Sequence, residues 1–180
     1  MNDVLHTLRC IGHADLSRIA ATAGRPETDV ESDLIDLAVD GLATRSMGTW
    51  GLTEAGRAAA GEATAAELDA LGARATVTTA YETFLKLNPE LLDLCSLWQL
   101  RDDTIDPARV LDRFTDLNRR VQPVLEALPR LGRYRQRLDA ALRSARAGAL
   151  EELTDSLTSY HVVWFQLHED LLLTLGIPRT

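Results

Sequence analysis

The side chains able to do chemistry in this 180-residue chain are few and scattered. Cys10 and Cys95 stand far apart with no CxxC spacing, which predicts two buried thiols rather than a metal or redox pair. His161 and His168 are seven residues apart. On one helix that is about 10.5 Å at ~1.5 Å per residue, too far for both rings to hold one ion. Neither has a histidine partner three or four positions away. No phosphate-cradling glycine loop, nucleophile elbow or metalloprotease motif is present. The expectation is no catalytic residue, no metal and no cofactor, and hence not an enzyme. A small enzyme or ligand carrier built on the C-terminal half is the weakest of three functional readings.

The remaining chemistry is that of charge and aromatic surface. Between Arg109 and Arg146 ten arginines meet four acids, and the densest part is RLGRYRQR, Arg130 to Arg137. Arg133 and Tyr134, with Trp98, Tyr160, His161 and Trp164, are candidates to line a pocket for a small anionic ligand. The plainer alternative is that the arginines form a solvated face and the aromatics and histidines belong to a core or interface. The other charged stretch has the opposite sign. Residues 25–41 contain Arg25 against Glu27, Asp29, Glu31, Asp33, Asp36 and Asp40. The whole chain has a formal net charge of −8 and a pI of about 5.0, a balance that repels phosphate unless a local basic patch intervenes.

The elements that must position these groups are mostly helices. Val4, Leu5, Leu8 and Ile11 recur at helical spacing behind Asp3 as a cap and stop at Gly12. Asp15 caps a second short helix that stops at Gly24. Thr28 is the expected cap of a third, with Glu31 completing a capping box and Val30, Leu34 and Leu37 facing inward. Leu42–Arg45 and Thr49–Leu52 read as strands joined by Ser46-Met47-Gly48, and Thr53 caps the next helix. Helix, turn, helix and hairpin in this order predict a winged helix over residues 1–62. Beyond it come an alanine-rich connecting helix over 63–76, with Gly61 or Gly72 as the place for a break, and a helical bundle over 77–180. In the bundle, Asn88-Pro89 should open a new helix, Asp106-Pro107 another, and Pro123 should kink the latter. Glu151–Leu175 is expected as one regular helix with a seam of Leu153, Leu157, Tyr160, Trp164, Leu167 and Leu171, and a second stripe of His161, Phe165, His168 and Leu172. The fold class is thus mainly α, a winged helix-turn-helix with a small β-hairpin wing followed by a helical bundle.

Leu52-Thr53-Glu54-Ala55-Gly56-Arg57 matches the phrase L-T-x-x-G-R that commonly follows the wing in winged-helix regulators of the MarR and PadR kind. Residues 3 to about 62 resemble that family. The resemblance implies a dimeric transcriptional regulator that binds duplex DNA, its bundle dimerising or sensing a ligand. If the chain binds DNA, Arg18, Thr28, Ser32 and Arg45 are the expected contacts, from their places on the second helix, the third helix and the wing. The acidity of the third helix opposes that reading. Carboxylates beside phosphates cost on the order of 1 kcal/mol per pair at about 4 Å in water, and few cations are there to release counterions. The rival reading is a winged-helix protein-interaction module or an accessory subunit, its third helix set against a basic partner.

The phrases NPELLDLCSLWQLRD and SYHVVWFQLHEDLLLTLG are similar to the helical segment of actinobacterial winged-helix proteins. Some of these are associated with phosphoenolpyruvate-utilising enzymes. The similarity covers most of residues 77–176 and implies an accessory or regulatory role. With no apolar run long enough to span a bilayer and no signal-peptide pattern, the chain is expected to be cytoplasmic, without a membrane partner.

Overall fold

A computed structural model describes residues 2–102 and 104–178. The chain is mainly helical with one small antiparallel sheet. It divides into two compact units, Met1–Gly72 with Leu172–Thr180, and Ala73–Leu171. Among the described residues no helix is long and apolar enough to cross a membrane.

The first unit contains α1 (Asp3–Ile11), α2 (Leu16–Ala23), α3 (Glu27–Val39), β1 (Ala43–Ser46), β2 (Thr49–Leu52) and α4 (Glu54–Ala70). Local chemistry sets most of these boundaries. Asn2, not Asp3, caps α1: its Oδ1 accepts from the amides of Val4 and Leu5, each at 3.0 Å, and Asp3 becomes the first helical residue. Asp15 caps α2 by accepting from Arg18 N at 2.8 Å. Thr28 is not a cap. Pro26 takes that position without a side-chain bond, and α3 begins at Glu27. Pro26 lacks an amide hydrogen and holds extended backbone, so it ends the turn two residues before the expected cap, while Glu27 and Asp29 favour the positive end of the helix.

The hairpin pairs Ala43 with Leu52 and Ser46 with Thr49. Met47 (φ 49°) and Gly48 (φ 83°) are both left-handed, the combination a tight two-residue turn needs to match strand twist. Ala14 adds a third pairing position, exchanging backbone hydrogen bonds with Trp50 at 3.0 and 2.8 Å. The core gathers Val4, Leu8, Ile19, Val30, Leu34 and Trp50.

The second unit contains α5 (Arg74–Gln99), α6 (Pro107–Arg120), α7 (Gln122–Leu125) and α8 (Gly132–Arg146), and α9 (Tyr160–Leu175) begins in it. The connecting stretch 63–76 breaks at Gly72, one of the two glycines where a break was expected: α4 runs through Gly61 and ends at Ala70, and α5 starts at Arg74, with Gly72 left-handed between them. Asn88-Pro89 opens no new helix; α5 runs through both. Pro89 is exposed, so the carbonyl it cannot satisfy faces water and the helix survives. Asp106 caps α6, and the expected break falls at Val121 before Pro123.

The long final helix is shorter than its periodicity suggests. Leu150–Glu152 form a 3-10 turn, and α9 begins only at Tyr160. Between them the short polar side chains bond locally: Thr154 Oγ1 donates to Asp155 at 2.7 Å, Thr158 N to Ser156 Oγ at 3.1 Å, and Thr158 Oγ1 to Glu152 at 2.9 Å. These bonds compete with the helical ladder. Leu153 is buried, but Leu157 is 67% exposed and outside the seam.

Candidate functional site

In the first unit the outward face of α3 is the principal exposed feature. Val30, Leu34 and Leu37 anchor the helix in the core, leaving Thr28, Ser32, Ile35 and Val39 on the solvent side at steps of four, three and four. Ile35 is 51% and Val39 81% exposed, and Met47 at the hairpin turn is fully so. Glu27, Asp29, Glu31 and Asp36 are exposed on the same helix, and Asp40 is exposed at its C-cap. The face is therefore an aliphatic stripe framed by carboxylates.

Cations do not offset that charge. Arg25 Nη1 donates to Asp33 at 2.6 Å and to Asp3 at 2.8 Å, which ties α3 to α1 and holds the guanidinium pKa above its ordinary value. Arg45 is exposed on β1 with its guanidinium 5.6 Å from the Trp50 ring centroid. Arg18 is half-buried on α2. Thr28 and Ser32 are both exposed one turn apart on α3, and the Thr28 hydroxyl lies 3.4 Å from Asp29 Oδ1. Ile35, Val39 and Met47 were missing from the sequence-derived candidates. Ile35 and Val39 lie outside the inward stripe yet repeat at i, i+4, a signal visible in the sequence.

The L-T-x-x-G-R phrase has a physical explanation in what fixes the hairpin to α4. Thr53 Oγ1 accepts from Gly56 N at 3.0 Å and donates to the Gly41 carbonyl at 2.7 Å. A Cβ on Gly56 would overlap the Leu42 carbonyl, so only glycine allows α4 to approach that backbone. Arg57 Nη1 donates to the Leu52 carbonyl at 2.8 Å. Three residues therefore hold the exit from β2 at a set angle.

The second unit places the candidate ligand residues differently. Trp98, Tyr134, Tyr160 and Trp164 are at most 1% exposed and form the core. Tyr160 and Trp164 stack with centroids 6.0 Å apart, Phe84 stacks on Trp164 at 4.9 Å, and Phe114 meets Tyr160 edge-on at 5.3 Å. Trp164 Nε1 donates to Asn88 Oδ1 at 3.0 Å and Tyr160 OH to Asn118 Oδ1 at 3.3 Å, whereas the buried Trp98 Nε1 has no hydrogen-bond partner among the described residues. Burial, then the nearby Asp139, pushes the Tyr160 phenol well above its ordinary pKa. His161 is half-buried, and burial lowers its pKa. His168 stacks on Phe84 at 5.1 Å and Tyr81 at 6.2 Å.

Arg133 and Tyr134 do come together, around a carboxylate the sequence did not single out. Asp170, fully buried, pairs with Arg130, receives Arg133 Nη2 at 3.0 Å and accepts from Tyr134 OH at 2.9 Å. Arg130 and Arg133 are only 11% and 16% exposed, so this part of the arginine cluster is internal rather than a solvated face. A cavity of about 420 Å³ in this unit is lined instead by small α5 residues, among them Thr76, Thr79 and Thr83, and by Pro123, Val124 and Ala127. Comparison with protein-family models, with curated proteins and with solved structures finds no match for this chain.

Proposed function

We propose that the first unit is a winged helix whose third helix docks a basic protein partner, and that the second unit is the helical scaffold of an accessory or regulatory protein. The observation that carries this reading is the outward face of α3, with Ile35 and Val39 exposed among five carboxylates. Duplex DNA presents phosphates to such a helix and only scattered thymine methyl groups to its aliphatic side chains. A protein surface of lysines or arginines around an apolar hollow takes up both. The helix order, the hairpin and the Thr53-Gly56-Arg57 contacts support the winged-helix reading.

A photo-crosslinking residue at position 39, introduced in the native host, tests the proposal. The expected product is a protein adduct whose attachment site is rich in Lys and Arg, and which is lost in the Asp36→Lys/Asp40→Lys variant. The DNA-binding reading is the alternative the same protein can reveal. A salt-sensitive mobility shift with random duplex or with the gene's own upstream region, abolished by Arg45→Glu, would overturn the docking proposal.

A further inference from the structure

We propose that a recess on the first unit, lined by Leu8, Arg9, Gly12, His13, Leu52 and Arg57, binds a small oxyanion of the phosphate class. Its volume is about 90 Å³. That is far below the roughly 300–1,000 Å³ of a pocket for a drug-sized ligand, so the recess takes a small ion but not a whole nucleotide. Only an anionic head enters.

Each basic side chain is brought to the recess by a separate element. Arg9 belongs to the last turn of α1, His13 to the link before α2, and Arg57 to the first turn of α4. The bond from Arg57 Nη1 to the Leu52 carbonyl fixes that guanidinium and leaves its other N–H donors for a ligand. Gly51 makes room for His13, since a Cβ there would overlap the imidazole ring. Leu8 and Leu52 form a buried apolar floor, while Gly12, His13 and Arg57 are exposed, so the recess opens to solvent and an ion entering it meets charged donors at its rim.

The charge pattern supplies the argument for an anion. Residues 1–62 contain ten acids and five arginines. Arg25 is bound to two of those acids. Among the described residues no carboxylate pairs with Arg9, His13 or Arg57. Two guanidiniums that line one recess without a paired carboxylate, in an otherwise acidic unit, suit an oxyanion, with the His13 ring beside them as a further hydrogen-bonding group. The C-terminal end of α1 opposes an anion, but Arg9 stands at that end and the start of α4 contributes the opposite sign. The site does not depend on the α3 docking face.

Titration of the full chain with inorganic phosphate at constant ionic strength, followed by backbone amide shifts, reads the site directly. Saturable shifts at Gly12, His13, Leu52 and Arg57 are expected, with affinity reduced about tenfold in Arg9→Gln, the loss of one charge-assisted contact. His13→Gln is the second variant and is also expected to weaken binding; an unchanged melting temperature shows that both remain folded. A sugar phosphate or nucleoside monophosphate that binds tighter than phosphate assigns the site to a phosphorylated metabolite, and equal affinity assigns it to the free ion; both support an oxyanion site. Shifts no different from those of chloride, or an affinity unchanged in both variants, would overturn the proposal.

Discussion

Arg133 and Asp170, 37 residues apart in the chain, meet with Nη2 3.0 Å from Oδ2 at a carboxylate that has no solvent exposure. Arg130 binds the other carboxylate oxygen, and Tyr134 donates to the oxygen that Arg133 uses. Burying an ion costs several kcal/mol, which only close opposite charge and full hydrogen bonding offset. α8 and α9 are held in one register by this cluster.

Asp170→Asn keeps the shape and removes the charge, leaving two largely buried guanidiniums facing a neutral amide. The expected loss is about 3–5 kcal/mol in urea unfolding, as for one half of a buried pair. Tyr134→Phe removes one hydrogen bond to a charged acceptor and should cost about 1.5–3 kcal/mol. Equal midpoints for Asp170→Asn and wild type would show that the cluster does not stabilise the fold.

Gly56→Ala places a methyl group against the Leu42 carbonyl, and the rigid backbone on that side cannot yield cheaply. Overpacking of this kind should cost about 3 kcal/mol. Thr53→Ala removes only the cap and its bond to Gly41, a loss of about 1 kcal/mol. Chemical denaturation of the two variants should rank them in that order, and the reverse ranking would mean that α4 shifts freely.

Stability should also depend on pH through His161. Burial lowers its folded pKa below the unfolded value of 6.5, so the unfolded chain takes up a proton more readily. The stabilisation is complete above the unfolded value and is lost as pH falls through it toward the folded pKa. Denaturation midpoints across that interval should fall less steeply in His161→Gln than in wild type. Parallel curves would remove His161 as the source.

Cys95 is buried, and burial pushes its thiol up to about 12. At mildly alkaline pH almost no thiolate exists in the folded protein, so alkylation should wait for unfolding. Its modification rate, followed by mass spectrometry, is expected to rise with denaturant in step with loss of helical circular dichroism. Rapid labelling of Cys95 in the native protein would contradict its burial.

Features set by neighbours in the chain were legible from residue order. Asp15, Thr53 and Asp106 each reach amides two or three residues ahead, and the hairpin turn needs only its own backbone angles, although Ser46, expected in the turn, pairs with Thr49 at the end of β1. The acidity of α3 and the inward Val30, Leu34 and Leu37 were equally plain. Misreadings arose where a competing interaction decided. Pro89 stays inside α5 because its side of the helix faces solvent, and the apolar rhythm from Leu153 to Tyr160 gives way to hydroxyl and carboxylate bonds. The aromatic and arginine residues offered as a pocket have the right chemistry, but composition does not say which side of a helix meets another. Packing turned Trp98, Tyr134, Tyr160 and Trp164 inward and closed Arg130 and Arg133 onto Asp170. Local hydrogen bonds and periodicity therefore determine where the helices and hairpin begin and end. Burial, which depends on contacts tens of residues apart, decides which of their side chains remain available to a partner.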